Sequence, residues 1–287
     1  MAVTNSLSKT SANSRLGLTA YLTKDAVKDQ ISKVVGGKDG QRFISAIVSA
    51  TTTNPALQEC SNPSILSAAL LGESLKLSPS PQLGHYYLVP FNDKNGKVAQ
   101  FQLGYKGYIQ LAIRSGQYKK LNVMAIKEGE LEYFDPLNED IKINLKVENW
   151  DEREATPTIG YYAFFELVNG FRKAIYWSKG QMESHATKYS PGYRAKKGYT
   201  FWEKDFDQMA YKTMLRQLIS KWGIMSIELQ TAFEGDMAVI NEDGTKSYVE
   251  TDDGIIEAPV TEVSSTVENA PEPTPEPTND AEAALFN

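Results

Sequence analysis

Helix-like and strand-like patterns of apolar and polar positions follow one another along the chain, beginning with two helices. An apolar-periodic segment begins near Gln41 and should end before Pro55, because proline cannot continue a helix. A second helix is predicted over residues 63–77, with a proline in its first turn. Two strand-like runs, 84–91 and 97–105, flank the turn sequence NDKNG and predict a β-hairpin.

The middle of the chain predicts more strands. Three of them are expected over residues 121–128, 130–134 and 141–147. Residues 159–178 predict the clearest hairpin, with Asn169 and Gly170 in its turn. This pair tolerates positive φ at both central positions of a two-residue turn, which would place Glu166 opposite Lys173.

A polar loop over residues 185–200 is predicted to lead into a long helix over residues 201–223, and a short helix follows. One side of the long helix carries a wide apolar arc that should pack on the core. Hairpins interleaved with single helices indicate an α+β fold, in which helices pack on an antiparallel hairpin sheet.

The helix predicted after the first hairpin begins at Lys106, just after Tyr105, with Gly116 at its C-terminal cap, and it has two different faces. Its apolar arc is formed by Tyr108, Ile109, Ala112 and Ile113. Its other side carries Lys106, Gln110 and Arg114 at intervals of four, with Gly107 between them. Taken alone, such a polar strip is typical of a solvated helix face. If the strip bound a phosphate backbone, Gly107 would leave room for it between Lys106 and Arg114.

The net charge of −6 conceals a strong segregation of charge. Residues 236–287 hold 13 Asp/Glu and one Lys, a charge of −12, whereas residues 1–235 carry +6. Within this body, residues 128–154 carry −7, which is typical of a solvated surface or a subunit contact. A polyanion such as a nucleic acid would be attracted to the basic remainder.

Composition and segment boundaries predict three regions. Residues 1–39 are polar and are interrupted by the sequence GGKDG at 36–40, so a mobile N-terminal segment or a loosely attached helix is expected there. Residues 40–235 form the folded body, and residues 236–287 are acidic, rich in Pro and Thr, and expected to be disordered. No run is long and apolar enough to span a membrane and no signal-peptide core is present, so a cytoplasmic location is expected.

Catalytic and metal-binding motifs are weak in this sequence. The single Cys60 excludes a disulfide framework and a cysteine zinc site, and His85 and His185 lack metal-ligand spacing. The chain has no GxxxxGK[ST], GxSxG or HExxH motif. Asp205 and Asp207 lie about 160° apart on a regular helix and cannot chelate one ion. A binding protein is therefore favoured over an enzyme, with a Mg²⁺-dependent DNA nuclease or a non-enzymatic structural oligomer as alternatives.

Two further groups of cations strengthen the case for a nucleic-acid partner. Residues 188–202 interleave Lys and Arg with Tyr and Trp, the composition of sequence-tolerant single-strand binders. On the long helix, Lys212 and Arg216 share one side and should repel each other unless an anion or Asp205 lies between them. Two roles stay open for Asp205, orienting these cations or contributing to a Mg²⁺ site. The predicted DNA-binding residues are Tyr105, Lys106, Gly107, Gln110, Arg114, Lys119, Lys120, Lys188, Tyr189, Tyr193, Arg194, Lys196, Lys197, Tyr199, Trp202, Lys212 and Arg216.

Five blocks of sequence, in this order, resemble the RecT/Redβ family of phage and prophage recombinases over roughly residues 40–230. They are LLGESLKLSPSPQLGHYYLVPF, FQLGYKGYIQLAIRSGQYKKL, GYYAFFELVNGFRKAIYWS, HATKYS and WEKDFDQMAYKTMLRQLISKW. The resemblance implies a protein that anneals complementary single DNA strands without ATP, assembled as a ring or helical filament. It also implies a core similar to the strand-strand-strand-helix unit of eukaryotic annealing proteins.

Further expectations follow from this resemblance. Partners would be single-stranded DNA, the annealed duplex, other copies of the chain, an exonuclease and the host single-strand binding protein. No cofactor would be required, and an effect of Mg²⁺ on annealing stays open. The acidic residues 128–154 would dock on a neighbouring subunit, and the tail would bind a partner or compete for the DNA groove.

Overall fold

The computed structural model describes residues 17–36, 38–93, 96–198, 200–236, 238–241 and 245–248. The α-helices are α1 (Leu18–Leu22), α2 (Asp25–Val35), α3 (Gly40–Thr53), α4 (Asn62–Ser74), α5 (Tyr105–Arg114), α6 (Trp150–Ala155), α7 (Lys179–Tyr189), α8 (Pro191–Arg194), α9 (Phe201–Lys204), α10 (Phe206–Trp222) and α11 (Ile227–Gly235). A 3₁₀ helix, Pro55–Glu59, lies between α3 and α4. The strands are β1 (Tyr86–Asp93), β2 (Gly96–Leu103), β3 (Tyr118–Lys127), β4 (Leu131–Asp135), β5 (Asp140–Ile143), β6 (Thr158–Leu167), β7 (Arg172–Ser178), β8 (Ala238–Ile240) and β9 (Lys246–Tyr248).

The strands form three antiparallel sheets, and helices pack on the two larger ones. Their orders are β1-β2-β8-β9, β3-β6-β7 and β4-β5. α4 packs on the first sheet, while α10 packs across all three strands of the second and also against α5. The predicted α+β fold with antiparallel hairpin sheets packed by helices is confirmed.

The long helix predicted over residues 201–223 is interrupted at Asp205, which separates α9 from α10. Asp205 has a non-helical backbone, and its side chain accepts a hydrogen bond from the backbone N–H of Gln208 at 3.3 Å. Aspartate is a favoured N-cap because its carboxylate satisfies a backbone donor that has no partner inside the helix. Most of the predicted apolar arc on α10 enters the core, with Ala210, Met214, Leu215, Leu218 and Ile219 fully buried, whereas Trp222, which was predicted to share this arc, is 47 % exposed.

The β6–β7 hairpin has a different register from the predicted one, since Glu166 pairs with Arg172 rather than with Lys173. The loop contains three residues and not two, and in it only Gly170 has positive φ, at 88°. The Asn169 side chain accepts a hydrogen bond from the backbone of Phe171 at 2.9 Å. A three-residue loop that ends in a left-handed glycine is a common hairpin connection, and it shifts the pairing by one residue.

The polar stretch 185–200 is largely helical rather than an open loop. α7 begins with a capping box between Ser178 and Gln181 and continues to Tyr189, and Pro191 starts α8. The capping box satisfies two backbone donors at the start of α7, so a polar sequence can be helical here without a strong apolar stripe.

Both ends of the folded body extend further than the sequence predicted. Residues 18–35 of the expected mobile segment form α1 and α2, whose Leu22 and Ile31 are buried in the core. At the other end, β8 pairs with β2 through Ala238 and Phe101, so the start of the expected disordered tail belongs to the first sheet. The rest of both predicted segments, residues 1–16 and 249–287, lies outside the described residues. Within the described ranges, no helix combines the length and apolar character needed to cross a bilayer.

Candidate nucleic-acid interface

Two glycines bring the start of α5 against His85, the residue just before β1. The N–H of Gly104 donates to the carbonyl of His85 at 2.8 Å. A methyl group on Gly107 would overlap that same carbonyl oxygen and lie 2.8 Å from a methyl carbon of Leu103. Gly107 is therefore buried between α5 and the chain beneath it, and the structure does not place it on the exposed side that the sequence analysis assigned to DNA.

The faces of α5 are rotated relative to the predicted ones. Tyr108, Leu111 and Ala112 are buried, whereas Ile113 is 57 % exposed. Lys106 and Gln110 are exposed, as predicted. The exposed Arg114 donates hydrogen bonds to the last carbonyls of the preceding helical segment, those of Leu75 (2.5 Å) and Lys76 (3.2 Å). Arg114 therefore stabilises the C-terminal end of α4, because a cation near the last carbonyls of a helix is favourable.

A cleft of about 310 Å³ lies between the β2–α5 junction and the α9–α10 junction. Three rings line it, those of Tyr87, Tyr105 and Phe201, and we refer to it as the aromatic cleft. The Tyr87 and Phe201 ring centroids are 5.9 Å apart. Polar side chains that also line it are Gln102, Lys204, Asp205, Gln208 and Lys212.

Two exposed lysines adjoin the aromatic cleft, Lys204 in its lining and Lys106 beside Tyr105. Lys106 is exposed, with its Nζ 6.0 Å from the centroid of the Tyr105 ring, and Lys204 on the opposite side is exposed as well. Burial raises the pKa of the Tyr87 phenol, and the neighbouring Tyr105 and Asp205 raise it further. The cleft thus combines neutral rings with positive charge at its edge, which suits stacking and phosphate contact together.

The sequence analysis found Tyr105 and Lys106 but missed Tyr87, Phe201, Lys204 and Gln208. Tyr87 stands in a strand and Phe201 in a short helix far along the chain, and no local pattern indicates that they meet. Phe201 lies within the basic-aromatic stretch 188–202 and Lys204 lies two residues after it, so this stretch was the available signal.

The anion that the sequence required between Lys212 and Arg216 is Asp236. Lys212 Nζ lies 2.8 Å from Asp236 Oδ1, and Arg216 Nη1 lies 2.8 Å from Oδ2. The Tyr108 hydroxyl donates to Oδ2 at 3.0 Å, and the backbone N–H of Leu103 donates to Oδ1 at 2.9 Å. A fully buried carboxylate thus joins β2, α5 and α10, and we call this group the Asp236 node.

The Asp236 node changes the interpretation of the predicted cationic stripe on α10. The Lys212 side chain is 9 % exposed and is bonded to Asp236, so it lines the cleft but is not a solvent-exposed cation; the Arg216 side chain is 31 % exposed. Burial raises the pKa of the Asp236 carboxyl, but the nearby Lys212 and Arg216 charges lower it more, and the net result is a lowered pKa. Burial lowers the pKa of the Lys212 amine, against the effect of Asp236.

In the segment 188–202 the cations and the rings separate. Lys188, Arg194, Lys196 and Lys197 are exposed. Tyr189 is 39 % exposed, with Lys188 Nζ 5.2 Å from its ring centroid. Tyr193 packs on Trp202 and Phe206. Trp202 is buried, so its ring is not available to stack on a base. Tyr199 lies outside the described residues.

Among the described residues, no three His, Cys, Asp or Glu side chains converge to hold a metal ion. Asp205, the candidate ligand, caps α10 and contacts the side chain of Gln208. The contacts of Asp205 orient neither Lys212 nor Arg216, because both of these side chains donate hydrogen bonds to Asp236.

The family model of the RecT family matches residues 41–253, which is more than half of the chain. The chain belongs to the RecT family. Protein RecT of Escherichia coli (strain K12) is 29 % identical over 222 residues, covering 76 % of this chain and 79 % of that protein. The "Uncharacterized protein YqaK" of Bacillus subtilis (strain 168) is 41 % identical over 233 residues, covering 81 % of this chain and 74 % of its own length.

The predicted resemblance to the RecT/Redβ family is thereby confirmed. RecT-family proteins bind DNA and anneal single strands in phage-type recombination, and the family is not one of catalytic enzymes. At the level of the family, this RecT-family chain is a DNA-binding recombination protein.

One histidine beside the basic segment provides a pH-dependent term in stability. The His185 ring lies among Trp177, Tyr189 and Trp202, with centroid distances of 5.5, 4.5 and 6.3 Å. Burial, together with the charge of Lys188, lowers its pKa from 6.5 to about 4. The unfolded chain therefore binds a proton here at higher pH than the folded protein does. The contribution of His185 to stability is therefore fully present above pH 6.5 and is lost as the pH decreases towards 4.

We expect the wild type to lose about 2 kcal/mol more stability than His185→Phe between about pH 7.5 and pH 4.5. The full pKa shift corresponds to about 3 kcal/mol, which solvent screening of the half-buried ring reduces. Thermal or urea unfolding of both proteins at the two pH values measures the difference. Equal losses in the two proteins would show that His185 is not responsible.

Proposed function

We propose that this RecT-family protein binds single-stranded DNA at the aromatic cleft and anneals it to a complementary strand without ATP. The observation that carries the proposal is the cleft itself, where three rings adjoin two exposed lysines on opposite sides. Stacking on aromatic side chains is tolerant of sequence because every base has a flat face, and lysines bind the backbone by charge alone. This is the chemistry that annealing of arbitrary sequences requires.

The proposed mechanism leaves the pairing edges of the bases available. A volume of about 310 Å³ is at the lower end of ligand pockets, so it suits one or two bases rather than a folded strand. Rings contact the face of a base and lysines contact phosphate, and neither contact occupies the Watson–Crick edge. A second strand can then test its bases against the first while the first stays bound.

In the proposed active form, several subunits assemble as a ring or helical filament, and their clefts follow one another along a strand. The exposed cations Lys188, Lys196 and Lys197 would extend the path beyond each cleft. The acidic residues 128–154 would contact the basic surface of a neighbouring subunit, because charge complementarity orients such contacts.

Partners and conditions form the remaining part of the proposal. The protein would act in the cytoplasm of a bacterial host, beside an exonuclease that produces single strands and the host single-strand binding protein. The acidic tail beyond the first sheet, at −10 over residues 249–287, would bind one of these partners or compete for the cleft. No cofactor is required in this scheme, and Mg²⁺ would act only by screening charge between the two strands.

The double variant Lys106→Ala/Lys204→Ala is expected to bind a single-stranded oligonucleotide about tenfold more weakly at low salt. It should also reduce the slope of log K against log salt concentration by about 1.4, since each phosphate contact on a single strand contributes about 0.7. Fluorescence anisotropy with a labelled oligothymidylate at several salt concentrations measures both quantities. The matched control, Lys28→Ala/Lys33→Ala, removes two exposed lysines of α2. An unchanged slope in the cleft variant would refute the cleft as the DNA site.

A further inference from the structure

A second group of cations lies at the other end of α5 from the aromatic cleft. Lys119, Lys120 and Arg172 surround the carboxylate of Glu166, and we call these three side chains the cation cluster. Lys119 Nζ lies 2.7 Å from Oε1, while Arg172 Nη2 and Lys120 Nζ lie 3.0 and 3.9 Å from Oε2. Two consecutive lysines reach one carboxylate because the pairing of β3 with β6 shifts between Tyr118 and Lys120.

The charges of the cation cluster are only partly neutralised. The Glu166 side chain is 3 % exposed, whereas those of Lys119, Lys120 and Arg172 are 60, 64 and 66 % exposed. One buried carboxylate therefore organises three cations that face the solvent, with a local charge of about +2 by formal count.

The hydrogen bonds leave donors available in the cation cluster. Among the residues that the structure describes, none donates a hydrogen bond to Glu166 Oε2, although Arg172 lies within 3.0 Å of it. The Arg172 guanidinium is thus near Glu166 without being aligned on that oxygen. Guanidinium donors in such a position can form the paired hydrogen bonds that a phosphate accepts.

The cation cluster and the aromatic cleft are separate in space. α5 contains 10 residues and is therefore about 15 Å long, with the cleft at its first turn and the cluster just after its last. The ~15 Å length of α5 is much larger than the ~3.4 Å between successive nucleotides of one stacked strand, so the cleft and the cluster do not contact neighbouring nucleotides of one strand.

We propose that the cation cluster binds the backbone of the second, incoming strand while the aromatic cleft holds the first. This inference rests on the proposed annealing function and adds a site for the other strand. Cations hold a backbone without engaging base edges, so the incoming strand can shift along the first until its bases pair. Glu166 acts as a positioning residue, because it holds the three side chains at one place on the surface.

The test uses Lys120→Ala/Arg172→Ala, which keeps the Lys119–Glu166 pair and so leaves the buried carboxylate with a partner. Its matched control is Lys33→Ala/Arg42→Ala, which removes one exposed lysine and one exposed arginine elsewhere. Full-length proteins are saturated with an unlabelled first oligonucleotide, and a labelled complementary strand is then added. Anisotropy measures first-strand affinity, and stopped-flow energy transfer measures the annealing rate.

We expect first-strand affinity to change less than about twofold and the annealing rate to fall about tenfold, with the control close to wild type. A parallel loss of first-strand affinity would assign the cluster to the path of the first strand and overturn the proposal. An unchanged rate, or an equal loss in the control, would also overturn it. Faster annealing would show that the cluster normally holds an acidic protein segment instead. Failure of the proposed function itself would appear in the wild type, as absence of binding or annealing.

Discussion

Replacement of Asp236 by alanine is expected to lower the free energy of unfolding by about 3–5 kcal/mol. The substitution leaves Lys212 buried with no anion beside it, and it removes the acceptor of the Leu103 N–H and the Tyr108 hydroxyl. Removing one partner of a buried pair is costly because the remaining charge stays desolvated, whereas the pair as a whole contributes little net stability. For a body of this size the melting temperature should fall by about 10 °C.

The control for this substitution is Glu234→Ala, two residues earlier in the chain. Glu234 contacts Lys246 at 2.6 Å, with its side chain 66 % exposed, so the loss should stay below about 1 kcal/mol. Urea unfolding of the two variants and the wild type measures both effects. The triple variant Asp236→Leu/Lys212→Met/Arg216→Met removes all three charges and should recover part of the loss. If Asp236→Ala and Glu234→Ala behaved alike, the Asp236 node would have no structural importance.

The second large effect is expected for Gly107→Ala, at a destabilisation of about 2–3 kcal/mol. Alanine in a helix normally gains up to about 1 kcal/mol over glycine, but here its methyl group would overlap the His85 carbonyl oxygen. A backbone carbonyl cannot move aside as a flexible side chain can, so the start of β1 would have to separate from α5. Thermal unfolding measures the loss.

Gln110→Ala, on the exposed side of the same helix, is the matched control and should change stability by less than about 0.5 kcal/mol. The comparison also separates the two interpretations of Gly107. If the glycine faced DNA, alanine would stabilise the helix and weaken DNA binding. If it is a packing position, as the structure shows, stability falls, and the fraction that remains folded keeps its affinity.

Elements with strong periodicity were predictable from the sequence. α3, α5 and the β1–β2 hairpin lie close to their predicted bounds, because apolar spacing and turn residues determine them locally. The two faces of α5 were less predictable. A helical wheel treats glycine as an open position. Nothing in the sequence shows that the carbonyl of His85, just before β1, occupies the space beside Gly107.

The functional groups required tertiary contacts that no local pattern contains. Charge spacing on α10 correctly indicated that Lys212 and Arg216 need an anion, but it could not select Asp236, which stood in a segment whose composition predicts disorder. Its hydrogen bond to Leu103 spans 133 residues. The register of the β6–β7 hairpin differed from the predicted one for a related reason. Asn169-Gly170 suits both a two-residue and a three-residue loop, and these two loops pair Glu166 with different residues.

The position of Asp236 determines where this protein can be shortened. Composition places the boundary between body and tail at residue 235, but a chain cut there would lose the carboxylate that joins β2, α5 and α10, as well as the strand that pairs with β2. Shortened proteins made to study the acidic tail should therefore retain the chain through Tyr248, the last residue of the first sheet. An annealing defect in a protein cut at residue 235 would report loss of the fold, and would say nothing about what the tail binds.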